Sequence, residues 1–191
     1  MTFKFDLSLQ WVLSTVGLII AFLVGLWQYR RAQRQQKIAL LLPLITEFET
    51  DEEIEAACCL FDYDAGTFAL CEQSYTFNNS DLLEAMKVVE WDEDWPPLQG
   101  AIRNVMDRYF DFFTKLASFT EIGLLSFRDL RYFYYYFELL VGIEKYKGAG
   151  FDQALNRYLE SYRFGGCRKC LDAYRKLPPS LKEELQLTQQ S

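Results

Sequence analysis

A charge-free apolar run near the N-terminus constrains this chain more than any other feature. No charged residue lies between Asp6 and Arg30, which leaves the 23 residues from Leu7 to Tyr29 uncharged. As a helix rising about 1.5 Å per residue, this run would cover roughly 34 Å, against about 30 Å for the hydrocarbon core of a bilayer. We therefore predict a single membrane-spanning helix.

The two ends of the run have the side chains that membrane interfaces favour. Aromatic rings at the headgroup level, followed by basic residues, are typical of membrane anchors. A buried core helix and a cleaved signal peptide fit less well, because the run is long, bases follow it and no small-residue cleavage site does. The predicted membrane-interface residues are Trp11, Trp27, Tyr29, Arg30, Arg31, Arg34 and Lys37.

The charges on either side of the run predict its orientation in the cytoplasmic membrane. Lys4 and Asp6 cancel before the run, whereas four bases follow it within ten residues. Because basic flanks stay in the cytoplasm, we expect the N-terminus outside and residues 30–191 inside.

Small residues recur at helical spacing within the run. Ser14, Gly17, Ala21 and Gly25 would form one stripe, and such a stripe lets a second helix approach closely. The stripe predicts a helix-packing face, used by a membrane partner or by a second copy. The alternative is that small residues are simply common in membrane helices.

The composition of the remaining chain limits its function classes. Half of all residues are apolar and 17% are aromatic, which predicts a folded domain. The absence of histidine excludes histidine-dependent catalysis, histidine metal ligands and histidine pH switches. Residues 38–127 contain 18 acidic and 4 basic residues, so we expect no nucleic-acid partner.

Periodicity predicts an all-α fold, in which the transmembrane helix is followed by a cytoplasmic helical bundle with one small β-hairpin at residues 68–77. The expected parts are the N-terminal tail and span (1–29), a basic collar and stalk helix kinked or restarted at Pro43 (30–49), the helical domain (50–176) and a polar tail (177–191). One predicted helix begins after an N-cap at Thr50, and a second begins after a cap at Asn79 or Ser80. Two further helices are predicted at residues 98–119 and 127–145.

Two stretches are candidate partner surfaces. The first places three acids between two tryptophans, as Trp91, Asp92, Glu93, Asp94 and Trp95. The alternative is that these tryptophans pack on the core and the acids are only solvated. The second is one face of the helix predicted at 127–145, which would otherwise be the buried central helix of the bundle. Its residues are Tyr132, Tyr135, Tyr136, Leu139 and Ile143.

The five cysteines are expected to be free thiols, because disulfides are rare in the cytoplasm. A single Cys167-x-x-Cys170 pair at helical spacing favours two core residues, although a redox or metal role stays open. We predict no cofactor and no small-molecule substrate.

Five short motifs distributed over most of the chain carry a family resemblance. They are YRRAQR at 29–34, ITEFE at 45–49, LFDY at 60–63, RYFD at 108–111 and GLLSFRDL at 123–130. In these the chain resembles an uncharacterised bacterial family of membrane-anchored proteins defined as a domain of unknown function. The resemblance implies a single-span anchor with a helical cytoplasmic domain, and it supplies no activity, cofactor or catalytic residue.

The sequence favours a non-enzymatic, membrane-anchored interaction module, acting as an accessory or adaptor subunit. Its partner would be another membrane protein or a second copy of the chain. The alternative is an oligomerising effector that acts on the membrane through its span. An enzyme using carboxylates or the Cys167/Cys170 pair ranks third, because the sequence shows no pocket around them.

Overall fold

The computed structural model of the chain describes residues 3–88 and 95–179. It begins with a 48-residue helix, α1 (Phe3–Thr50), which runs through Pro43, so the helix does not restart there. A proline inside a helix costs about 3 kcal/mol. Leu44 and Phe48, directly after it, are both 4% exposed. Burying two such side chains offsets that cost, at about 1.5–3 kcal/mol each.

The next helix and the hairpin follow closely. α2 (Glu52–Asp62) is capped by Asp51, whose Oδ1 accepts from the backbone N–H groups of Glu53 and Ile54. The prediction of Thr50 as N-cap is wrong, because its hydroxyl donates back to the carbonyl of Thr46. The predicted hairpin is confirmed, and its antiparallel strands are β1 (Ala65–Leu70) and β2 (Gln73–Asn78).

Two helices form the middle of the second half. α3 (Asn79–Ala85) is capped by Asn78 in a capping box with Asp81, one residue before the predicted caps. The amphipathic helix predicted at 98–119 is confirmed as α4 (Pro97–Glu121).

The stretch from Phe127 is not one helix, which corrects the prediction for residues 127–145. It consists of a 3₁₀ helix (Phe127–Phe133), α5 (Tyr134–Val141) and α6 (Ile143–Lys147). Gly142 separates the last two, and aromatic residues with low helix propensity precede it. The chain ends its described part with α7 (Phe151–Ser161) and α8 (Gly165–Arg175).

The chain divides into two compact units, residues 1–43 and 44–191. In the second unit α4 packs against α2, α3 and α8. Buried aromatic rings fill the space between them, and the Tyr109 and Phe113 rings meet edge to face at 4.8 Å. The fold is therefore all-α, with a long apolar N-terminal helix and one small hairpin, as the sequence predicts.

Candidate functional site

The apolar part of α1 exposes large side chains along its length. The side chains of Trp11, Leu18 and Phe22 are 71%, 71% and 70% exposed. Within the described residues α1 is the one helix long and apolar enough to span a membrane, and its most apolar window is 0% buried. A core helix of this chain would be covered by neighbouring elements. The apolar side chains of this segment of α1 are therefore left exposed by the described part of the chain.

The flanking residues of this segment are exposed as well. Trp27 and Tyr29 are largely exposed, and so are the three arginines that follow, whereas Lys37 is half-buried. The guanidinium carbon of Arg31 lies 5.6 Å from the centre of the Trp27 ring, within cation–π range.

The small-residue stripe is open. All four of its residues, Ser14, Gly17, Ala21 and Gly25, are exposed. A Cβ added at Gly17 or Gly25 would meet no atom within 4 Å. Among the described residues, therefore, no other segment packs into the space that the glycines leave open.

The second unit presents four exposed tyrosines that we call the tyrosine face: Tyr63, Tyr132, Tyr135 and Tyr146. The Tyr132 hydroxyl donates to Oε1 of Glu49 at 2.5 Å, at the end of α1. The Tyr135 hydroxyl donates to Oδ1 of Asp62 at 2.8 Å, at the end of α2.

Further contacts connect the members of the tyrosine face. The half-buried Tyr136 ring lies 5.2 Å from the Tyr135 ring. The hydroxyls of Tyr135 and Tyr146 are close enough to interact electrostatically. Lys147 donates to the Tyr63 carbonyl, which holds the end of α2 against α6.

Two residues of the predicted partner surface lie elsewhere. Leu139 and Ile143 are 6% and 1% exposed, so they belong to the core and are not available to a partner. The helix break at Gly142 and the packing of α5 inside the unit remove the continuous outer face on which their assignment rested.

The hydroxyls of Tyr132 and Tyr135 stay protonated at neutral pH. Burial, and then the hydrogen bond to Glu49, raise the pKa of Tyr132 to about 12. Burial and the bond to Asp62 raise the pKa of Tyr135 in the same way. Both hydroxyls therefore remain donors to their carboxylates.

The acidic tryptophan segment is only partly within the described residues. Trp91, Asp92, Glu93 and Asp94 lie outside them. Trp95 is half-buried, and its ring centre lies 4.4 Å from the guanidinium carbon of Arg103. Trp95 thus packs down on α4, as the alternative interpretation expects for a tryptophan of this segment.

Arg103 forms a cluster that the sequence alone does not predict. It is 8% exposed, its Nη1 donates to the carbonyls of Ala85 and Lys87, and the rings of Tyr158 and Tyr162 lie within cation–π distance. The sequence contained two i,i+4 pairs that could have indicated this cluster: Arg103 with Asp107 on α4, and Tyr158 on α7 with Tyr162 at its C-cap.

Asp107 completes this cluster. It accepts a hydrogen bond from the Tyr158 hydroxyl. Burial raises the pKa of Asp107, and the bond from Tyr158 and the charge of Arg103 counteract only part of that rise. The cluster ties α3 and α7 to α4, which is a structural role.

The Cys167-x-x-Cys170 pair lies in the core of the unit, at 0% and 2% exposed. Burial raises the pKa of Cys167, and that of Cys170 to about 12, so neither thiol is ionised at neutral pH. Among the described residues no three cysteine or carboxylate side chains come together as a metal site. Cys71, in the hairpin turn, is the one exposed cysteine of the five.

No protein-family model, curated protein or solved structure matches this chain. The resemblance to the bacterial membrane-anchored family therefore stays a prediction.

Proposed function

We propose that this chain is a membrane-anchored interaction module without an enzymatic activity of its own. The apolar part of α1 spans the cytoplasmic membrane once, and the helical unit is held at the cytoplasmic face as an accessory or adaptor subunit. The observation that carries this proposal is the run of exposed apolar side chains on α1, which no other described residues cover.

The energetics support the bilayer as the environment of this segment. Each large apolar side chain removed from water gains about 1.5–3 kcal/mol, and α1 exposes more than ten of them in succession. The helix also satisfies its own backbone hydrogen bonds, as a spanning segment must. The bases that follow the segment support a cytoplasmic second unit.

Cys71 provides a direct test of the anchor and of its orientation. In intact spheroplasts a membrane-impermeant maleimide should leave Cys71 unlabelled, and lysis should expose it to the reagent, because the hairpin lies inside. The protein should stay in the membrane pellet after extraction with alkaline carbonate. Cys71→Ser controls for the four buried or half-buried thiols.

A reporter on the other side completes this design. Thr2→Cys in the Cys71→Ser background should be labelled before lysis. Labelling of Cys71 in intact spheroplasts would reverse the orientation, and release of the protein by carbonate would reject the membrane span.

The open small-residue stripe favours a second candidate, an oligomerising effector that acts through its span. This candidate expects overexpression to arrest growth and Gly17→Leu to abolish the arrest. Val16→Leu, on an exposed position beside the stripe, is the matched control. Growth arrest that persists in Gly17→Leu would exclude the stripe as its cause.

A further inference from the structure

We propose that the tyrosine face binds an arginine-bearing segment of a partner protein. This inference rests on the proposed function, since it names the chemistry of the partner that the interaction module recognises. It starts from the exposure of the four rings, of which Tyr63 is 60% and both Tyr135 and Tyr146 are 44% exposed. Exposed aromatic rings gathered in one place are typical of protein interfaces.

The rings are held in place before any partner arrives. The hydroxyls of Tyr132 and Tyr135 are fixed by Glu49 and Asp62, at the ends of two different helices. Each carboxylate has a second oxygen that these tyrosine bonds do not use. A partner would therefore meet ordered rings beside carboxylate acceptors, with little side-chain entropy left to lose.

The charge of the surface selects a cation. Asp64, next to Tyr63, has a side chain that is 75% exposed. Lys147, whose side chain is 1% exposed, pairs with Asp64 at 3.9 Å and donates to the Tyr63 carbonyl, so its charge lies beneath this surface. The exposed Lys145 lies with its Nζ 5.3 Å from the centre of the Tyr146 ring, so that ring already has a cation of its own chain beside it. A cation of the partner would therefore meet the rings of Tyr132 and Tyr135.

Arginine fits this arrangement better than other groups. Its planar guanidinium stacks on aromatic rings and donates two parallel hydrogen bonds to a carboxylate, whereas lysine acts as a point charge. Phosphate groups of lipids or nucleic acids would be repelled by Glu49, Asp62 and Asp64. An uncharged apolar segment would leave these carboxylates desolvated without a partner.

The test uses the full chain in detergent micelles and an octa-arginine peptide as the probe, with titration calorimetry as the measurement. Octa-arginine should bind several-fold more tightly than octa-lysine. The double variant Tyr132→Ser/Tyr135→Ser should weaken the binding about tenfold, whereas Tyr132→Phe/Tyr135→Phe, which keeps the rings, should stay within about threefold of the native protein.

Matched carboxylate variants separate this surface from general charge attraction. Glu49→Gln/Asp62→Asn should weaken binding about tenfold, and Glu160→Gln/Asp172→Asn, which removes two exposed acids on α7 and α8, should change it less than twofold. Thermal unfolding followed by aromatic circular dichroism verifies that each variant is folded.

Three results would overturn the proposal: no binding of octa-arginine, equal losses in both carboxylate pairs, or native affinity in the serine variant. Self-association of the chain that the serine variant abolishes would also overturn it, because a second copy would then be the occupant. None of these results affects carbonate extraction or Cys71 labelling, so failure of this inference is distinct from failure of the membrane anchor.

Discussion

Gly166, on α8, packs closely against Thr114 of α4. A Cβ at this position would stand 2.8 Å from the Cα and Cγ2 of Thr114 and 3.0 Å from its carbonyl oxygen. Because two of these atoms are backbone, the contact cannot be relieved by a side-chain rotation. We predict that Gly166→Ala lowers the free energy of unfolding by about 1–3 kcal/mol.

The neighbouring glycine is the control for this prediction. A Cβ at Gly165 would meet nothing within 4 Å, so Gly165→Ala should change the free energy of unfolding by less than about 1 kcal/mol. Urea unfolding followed by near-ultraviolet circular dichroism measures both variants. Similar losses in the two would contradict a packing origin.

At the scale of the elements, the sequence predicts a helix or strand best when a single hydrophobic period and a single pattern of burial extend over its whole length. The long stripe of buried residues on α4 and the short alternating strands of the hairpin are such cases. The prediction of a single helix at residues 127–145 was wrong, because Gly142 and the aromatic residues before it have low helix propensity. Tertiary packing then divides the segment into three pieces.

The end of α1 is tied to α4 by ion pairs that sequence spacing does not reveal. Glu47 accepts from Arg108 at 3.0 Å and from Lys115 at 2.6 Å. Burial raises the pKa of Glu47, but the hydrogen bonds from the two bases outweigh it and the net pKa falls below its ordinary value of 4.5. The partners lie about sixty residues further along the chain, where no local pattern connects them.

This network predicts a pH dependence. A lowered carboxylate pKa contributes stability that is complete above the unfolded pKa and is lost as the pH falls through the folded pKa. Glu47→Gln should therefore lower the free energy of unfolding by about 1 kcal/mol at pH 7. The difference from the native protein should shrink towards zero between pH 5 and about pH 3.

Urea unfolding at a series of pH values measures this difference. Glu160→Gln, which removes an exposed pair with Arg168, should show little change at any pH. A Glu47→Gln effect that stays constant down to pH 3 would assign its cost to packing rather than to charge.

At the scale of the whole molecule, the sequence predicts features whose residues lie close together along the chain. It does not predict contacts between residues that are far apart in sequence. The apolar run, its flanks and the small stripe are visible because they are contiguous in sequence. The tyrosine face could be predicted only in part, because the fold brings Glu49 to Tyr132 and Asp62 to Tyr135 from distant parts of the sequence. Leu139 and Ile143 were misassigned for the same reason, since a helical wheel does not show which neighbours cover a face.

The division into two units predicts that the anchor can be disabled without unfolding the domain. Leu18→Arg/Leu23→Arg places two charges in the apolar run, and each costs about 2.5–3.5 kcal/mol near the centre of a membrane helix. The variant should be released by alkaline carbonate. Its aromatic circular dichroism should match that of the native protein, because residues 44–191 form their own compact unit.

The matched control places arginines on the same helix outside the run. Ile38 and Leu42 are both 62% exposed, and Ile38→Arg/Leu42→Arg adds the same charge after the basic collar. It should stay in the membrane pellet, because the proposed span ends before these positions and leaves them outside the hydrocarbon core. Release of both variants alike would mean that added positive charge, and not loss of the span, detaches the protein.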